Sequence, residues 1–381
     1  VCSPTRASFL TGLYPDNAGV PGVIRTKLPN NPTNWGNLRN DVLTLPQHFN
    51  SAGYDTAIIG KWHLGLDEPD RPNDIGFDYF KGFLGDMMDD YYEHLRFGNH
   101  YMRENTEPIH PKGHATDLFS DWSVDYIKEK AESENPFFLF LAYNAPHTPI
   151  QPPQDWLEKV KARETGIDEK RAALVALIEH MDHGIGKVIK SLKDTDQWDN
   201  TIVVFTSDNG GQGNVGARNL PLRGAKQEMW EGGIRVGTCV TWPEKIKAGA
   251  VNKDHVSLTM DFMPTLAEIV GAPVPKNAGI DGRSFAPVLL GQEFNEDPRT
   301  LFWVRLEGNK KYGGLAYHAV RRGDWKLLRN TPFEPYQLYK VGTDPSETTE
   351  VPRNKAPKVY DELFHALMTH INEAGRHSWQ R

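Results

Sequence analysis

The sequence predicts an α/β protein: a central mixed, mostly parallel sheet flanked by helices, followed by a smaller C-terminal antiparallel sheet with a helix. Two observations carry this prediction. Short, nearly all-apolar runs alternate with helical patterns through the first three quarters of the chain, the habit of strands joined by helical crossovers. Past Gly291 the pattern changes to short strands separated by turn residues. The expected organisation is one large domain over residues 1–290 and a smaller α+β subdomain over 291–381.

Taken in order, the chain first offers Cys-Ser-Pro-Thr-Arg at residues 2–6. Ser3 suits the N-cap and Pro4 the first helical position, so Cys2 is expected just outside a helix N-terminus, an end that attracts anions. Strands are expected at 56–59, 137–143, 201–206 and 236–241, each covered on both faces because each is almost wholly apolar. Residues 69–111 are irregular, aromatic and polar, and read as a long excursion over the sheet. A long helix over 169–193 places Leu174, Leu177, Ile178, Met181, Ile185, Val188 and Leu192 at helical spacing, a core stripe without chemistry. A second helix over 258–270 is stopped by Gly271 and Pro273. The late strands fall at 301–306, 317–321, 325–328 and 337–340, and a final helix over 355–374 buries Leu363, Leu367 and Ile371.

Composition narrows the function classes. With 381 residues, 38% hydrophobic and 24% charged, the chain is ordinary globular material. A net charge of -7 and a pI near 6.1 leave no electrostatic footprint for nucleic acid. No stretch approaches the ~18 consecutive apolar residues of a membrane span. Cys2 and Cys239 do not settle the redox compartment, and their spacing suggests no bridge. The chain starts at Val1, not Met, and reads as a fragment or processed chain whose targeting segment, if any, is out of view.

Five constellations are candidates for chemistry. Cys2 is either a buried small apolar residue or a thiolate activated by the helix end. It does not fit the phosphatase loop Cys-x5-Arg, because the sixth residue after it is Ser8 and Arg6 comes too early. Gly60-Lys61-Trp62-His63-Leu64-Gly65 puts a cation and an imidazole at a strand's carboxyl end, where open α/β sheets hold ligands. Alone, it would be surface decoration. His147 stands between prolines in Asn144-Ala145-Pro146-His147-Thr148-Pro149, otherwise a plain turn. Ser207-Asp208-Asn209-Gly210 ends another strand; its plain reading is a turn, its functional one a pair of hard oxygen donors. Lys226, in Pro221-Leu222-Arg223-Gly224-Ala225-Lys226 ahead of Trp230-Glu231-Gly232-Gly233, is a solvated basic loop or an anion ligand.

In this order the five resemble the signatures of the type I, formylglycine-dependent sulfatases of the alkaline phosphatase-like superfamily. The first signature, Cys-x-Pro-Ser/Thr-Arg followed by Thr-Gly, continues here to Thr11 and Gly12, and the likeness extends through Asp281-Gly282-Arg283-Ser284-Phe285 to Leu338-Tyr339-Lys340 and Asp344-Pro345. The resemblance implies a sulfuric ester hydrolase in which Cys2 is oxidised to formylglycine by a maturation enzyme, and one hydroxyl of the hydrated aldehyde attacks sulfur. It implies that Arg6 and Lys61 hold the diol, that His63 takes the proton that re-forms the aldehyde, and that His147 and Lys226 bind sulfate and protonate the leaving oxygen. Cys2, Asp208 and Asn209 would hold Ca2+, with Mg2+ an alternative. The implied substrate is a sulfated carbohydrate or a small aryl sulfate, and the implied location secreted, periplasmic or lysosome-like.

The sequence departs from the family in one respect. Sulfatases take two further metal-binding aspartates from a strand preceding the cysteine motif, and that strand is missing here, so the alternatives include an inactive fragment lacking half its metal site. Asp89 and Asp90 do not replace them, since they follow no apolar strand and sit among Met87, Met88, Tyr91 and Tyr92. The other alternative is a phosphonate or phosphodiester hydrolase of the same superfamily, against which Pro4, Trp62 and His63 speak. Trp35, Asp86, Tyr91, Tyr92, His94 and His110 are candidates for lining a sugar-sized cleft.

Overall fold

The computed structural model describes residues 1–26, 36–294, 298–307 and 314–377. Helix α1 (Cys2–Thr11) opens the chain with Val1 as N-cap and no side-chain cap. Ser3, the expected cap, instead accepts a 3.0 Å hydrogen bond from the Ile24 backbone N–H. A buried backbone donor in the returning chain outcompetes the helix end for that hydroxyl, so Cys2 is the first residue of the helix and not its outside neighbour. Helix α2 (Leu45–Ser51) follows, started by a reciprocal capping box between Thr44 and Gln47.

The main sheet then assembles from β1 (Asp55–Lys61), β2 (Tyr79–Phe83), β3 (Leu95–Arg96), β4 (Asn99–His100), β5 (Met102–Glu104) and β6 (Glu107–Pro108), with β7 (Phe137–Ala142) arriving after α3 (Ala115–Ala131). Its order is β6-β5-β2-β1-β7, with β3 and β4 forming a separate ribbon. Strand β1 is parallel to both β2 and β7, while β5 and β6 are antiparallel, so the sheet is mixed. Residues 69–111 are therefore not an excursion over the sheet. They supply an inner strand with Phe80 and Phe83 buried, and the Lys81-Gly82 interruption hides it from pattern reading. Both faces are packed: Ile58 of β1 joins Ala7 and Leu10 of α1, whereas Ala57 and Ile59 join Phe119 of α3 and Leu177 of α5 (Glu169–Asp194). Helix α4 (Gln154–Arg163) precedes α5. On α5 the expected core stripe holds at Leu174, Leu177, Val188 and Leu192, but Ile178 turns to solvent.

Strands β8 (Val203–Thr206) and β9 (Thr238–Thr241), separated by α6 (Glu231–Ile234), pair antiparallel with each other and, among the described residues, with no other strand. The expectation that these strands are covered on both faces fails. Phe205 is 51% exposed, and Phe137 to Leu141 of β7 are half-buried. Among the described residues the second edges of β7 and β8 have no strand partner, and solvent reaches side chains that a continuous sheet would cover.

After α7 (Phe262–Ile269) and α8 (Ala286–Leu289) comes an antiparallel sheet in the order β10 (Thr300–Glu307), β11 (Leu315–Arg322), β12 (Trp325–Arg329) and β13 (Gln337–Lys340). One face takes Leu363 and Leu367 of α9 (Pro357–Ala374) against Val320, Leu327 and Leu338. The other packs Ala319, Leu328 and Tyr339 on Met229 and Trp230, in the segment that follows Lys226. No helix among the described residues is long and apolar enough to cross a membrane.

Candidate active site

Chain ends of neighbouring elements deliver the predicted side chains to one place. Helix α1 carries Cys2 and Arg6 one turn apart, both buried. Strand β1 ends on Lys61, with His63 just beyond it in the left-handed region at φ 65. Gly60, at φ 113, lets β1 lie tight against β7, for a Cβ there would fall 2.1 Å from the Ala142 carbonyl oxygen. His147 follows β7, and Asp208 and Asn209 follow β8. Gly210 then presses on the turn at Glu231: a Cβ would sit 1.8 Å from the Gly232 oxygen.

Direct contacts tie these pieces together. Arg6 donates from Nη1 to the Lys61 carbonyl at 2.6 Å, and Thr5 Oγ1 donates to the Asp208 carbonyl at 2.7 Å. The Cys2 thiol faces Asn209 Oδ1 at 3.9 Å, with His147 among the groups that act on the same sulfur. Tyr91, 1% exposed, donates to the His147 carbonyl at 2.9 Å. The His147 ring points Nδ1 at the Thr148 carbonyl, 2.9 Å away. The His63 ring donates from Nε2 to the Ile24 carbonyl at 2.8 Å, which leaves Nδ1 as the bare acceptor, buried and without a partner among the described residues.

The electrostatics are those of an anion site. Burial alone would push the Cys2 thiol up, yet Lys61, His147 and Lys226 outweigh it and hold the thiol well below its usual range. Burial, opposed by the Cys2 charge and helped by Arg6, lowers the Lys61 ammonium. Burial and then Lys61 hold His63 well below the usual imidazole range despite Asp86, so the ring is neutral. Arg6 Nε is buried with no partner among the described residues, a guanidinium donor left over for an oxyanion.

Cys2, Arg6, Lys61, His63, His147, Asp208, Asn209 and Lys226 thus share one electrostatic neighbourhood. The cleft candidates separate. Trp35 lies outside the described residues. Asp86 is buried under Thr26 and Arg96, at 2.9 and 2.7 Å, and faces His63. Tyr91 is core, stacked on His114. Tyr92, His94 and His110 do line a common cavity of about 380 Å³, together with His100 and Lys112. Asp89 and Asp90 brace their own loop, Asp89 on Arg96 and Asp90 on Gln151. Sequence reasoning passed over Thr5, the Asp86–Arg96 pair and Asn219, whose side chain bonds both Gly211 N–H and Gly211 C=O at 2.8 and 2.9 Å. Thr5 meets a segment 203 positions away, whereas the other two are closed within 8 and 10 positions by loops with no sequence pattern of their own.

A divalent cation suits the donor set. Burial first, and the Cys2 charge second, raise the Asp208 carboxyl above its usual range, a cost that a bound cation relieves, and the carboxylate and Asn209 amide oxygens are hard ligands. A second cluster, His114, Asp117 and His180, lies elsewhere. There the His114 ring uses Nε2 on the Gln151 carbonyl and Nδ1 on the Thr116 N–H, at 3.0 and 3.2 Å, so it has no lone pair for a metal.

A mixed sheet with ligand residues at strand ends and an antiparallel C-terminal sheet define the class, and comparison with known proteins gives the family. The sulfatase family model matches residues 1–272, and a model for the C-terminal region of N-sulphoglucosamine sulphohydrolase matches residues 225–376. The chain belongs to the sulfatase family. It is 30% identical to a sulfatase of Formosa agariphila over 92% of this chain and 74% of that protein, and 34% identical to arylsulfatase J of Mus musculus over 87% and 57%. The chain thus spans little more than half the length of arylsulfatase J. Among solved structures, Ps i-CgsB in complex with k-i-k-neocarrahexaose superimposes with a TM-score of 0.84 at 29% identity, covering 96% of this chain and 81% of that one.

Proposed function

We propose that the protein hydrolyses a sulfate ester of a sulfated carbohydrate, with Cys2 as the residue converted to formylglycine. The observation that supports this best is the convergence of Arg6, Lys61, Lys226 and His147 on a buried cysteine at a helix N-terminus. A thiol needs no such array to be packed. An anion whose charge is spread over three oxygens does.

Each residue then has a task. Arg6 presents a fixed fork and its leftover Nε donor to an oxyanion, while Lys61 adds a buried point charge beside residue 2. Lys226 and His147 bind the sulfate oxygens, and His147 delivers the proton to the departing alkoxide from Nε2, its Nδ1 being held by the Thr148 carbonyl. His63, neutral and with Nδ1 unpartnered, accepts the proton released when the site is reset. Asp208, Asn209 and residue 2 would hold Ca2+ or Mg2+, and the formylglycine hydrate and the cation would together supply an activated oxygen nucleophile. In this reading residues 1–290 are the catalytic domain and 291–381 a supporting subdomain. A carbohydrate substrate is supported by the relatives, which include an N-acetylgalactosamine-6-sulfatase of Canis lupus familiaris at 28% identity, and by the Tyr92, His94 and His110 cavity.

The test is co-expression with a formylglycine-generating enzyme, mass spectrometry of the Cys2 peptide, and turnover of an aryl sulfate against an aryl phosphonate. Aldehyde at residue 2 with preferred sulfate release is expected. Full activity with an intact thiol, or preference for the phosphonate, overturns the reading.

A further inference from the structure

The segment that carries Lys226 is anchored from the C-terminal sheet on both sides of the lysine. Lys326 of β12 is fully buried, its Nζ 2.8 Å from Glu231 Oε1 and 2.9 Å from Glu347 Oε1. The other Glu347 oxygen accepts the Glu231 backbone N–H at 2.6 Å, and the Glu347 carbonyl accepts Arg223 Nη1 at 3.0 Å. Next to the lysine, Arg305 of β10 donates from Nη1 to the Gln227 carbonyl at 2.9 Å. So residues 223, 227 and 231 are each tied to the C-terminal part of the chain, while the Lys226 N–H is fixed on the Gly211 carbonyl at 3.0 Å.

A fully buried lysine between two carboxylates is costly to desolvate, and apolar residues of the same volume often serve stability as well or better. What apolar residues cannot do is fix the Glu231 and Glu347 carboxylates, and with them the turn that ends the Lys226 segment. We propose that Lys326 is a positioning residue for the reaction: through Glu231 and Glu347 it sets the placement of Lys226 against the sulfate. This rests on the reading of Lys226 as a sulfate ligand.

The experiment compares Lys326→Met, Glu347→Gln, Lys226→Ala and the double variants, in the full chain carrying the converted residue 2. It measures aryl sulfate kinetics and, independently of turnover, calorimetric binding of inorganic sulfate. Lys326→Met is expected to weaken sulfate binding and lower kcat/KM about tenfold or more, since small misplacements of a binding group have large effects. Glu347→Gln, which keeps one ion pair and an acceptor for Glu231, is expected to lower both about threefold. In the Lys226→Ala background neither adds a further loss, because the effect passes through that side chain. Wild-type sulfate affinity in a cooperatively folded Lys326→Met, or losses that multiply with Lys226→Ala, overturn the proposal. If Lys326→Met does not fold, Glu347→Gln decides by the same two criteria. Sulfate binding without aryl sulfate turnover in the wild type would instead count against the hydrolase reading and leave the positioning test intact.

Discussion

Lowering the pH from 7 to 5 should destabilise this protein through His318, and a single substitution should remove that share of the loss. His318 is 5% exposed on β11, with Nδ1 2.7 Å from the Tyr336 hydroxyl. Burial first, and Arg329 second, hold its imidazole down to about 4. The unfolded chain restores an ordinary value near 6.5, so between these two values unfolding takes up a proton and stability falls as pH falls. Below about 4 both states are protonated and the loss stops growing. The linkage relation gives about 2 kcal/mol at pH 5, against only about 0.2 kcal/mol at pH 7. His114, also held down to about 4 by burial, contributes a similar and separate amount. Urea unfolding at both pH values, followed by tryptophan fluorescence, measures the total. His318→Gln, which cannot titrate, should shrink the pH 7 to pH 5 difference by about 2 kcal/mol. An unchanged difference in His318→Gln would refute the reasoning.

Three further outcomes are expected. In protein left unconverted, Cys2 should react with iodoacetamide at pH values well below the usual thiol range, and Lys61→Met should move that profile upward, with exposed Cys239 as the reference thiol. An identical profile in Lys61→Met would contradict the assigned electrostatics. Arg6→Lys keeps a charge but loses the forked donor set that reaches the Lys61 carbonyl, so kcat/KM should fall by about 10². Retention of more than a third of wild-type kcat/KM would show that the fork is dispensable. Gly60→Ala places a Cβ 2.1 Å from the Ala142 oxygen at a φ of 113, and should cost about 2–4 kcal/mol in urea unfolding; a neutral result would mean that β1 and β7 separate easily.

The candidate site was more legible in the sequence than the sheet that holds it. Lys61, His147 and Asp208 each follow an apolar run, and a strand's carboxyl end is a place a pattern can mark. Their pairing partners are not so marked. Tyr91 reads as a surface stacker beside Tyr92, yet it is core, and only the folded chain brings its hydroxyl to His147. Lys326 and Glu231 lie 95 positions apart, and nothing near either announces the other. Strand β2 escaped notice because Lys81 and Gly82 break its apolar run, although its register against β1 buries the residues on either side. Helix α3 escaped for a different reason: its cap is His114, whose ring accepts the Thr116 N–H in place of the usual hydroxyl or carboxylate. The antiparallel C-terminal sheet was read nearly to the residue because its turns and alternating strands are local signals.

The central claim is that the cations gathered around residue 2 serve sulfate ester hydrolysis. Its most direct test is sulfate release from a sulfated oligosaccharide by protein whose Cys2 peptide is shown by mass spectrometry to carry the aldehyde, run beside Cys2→Ala. Release that scales with the aldehyde fraction and vanishes in Cys2→Ala is the predicted result. Equal release from Cys2→Ala, or none from fully converted protein, would contradict the account.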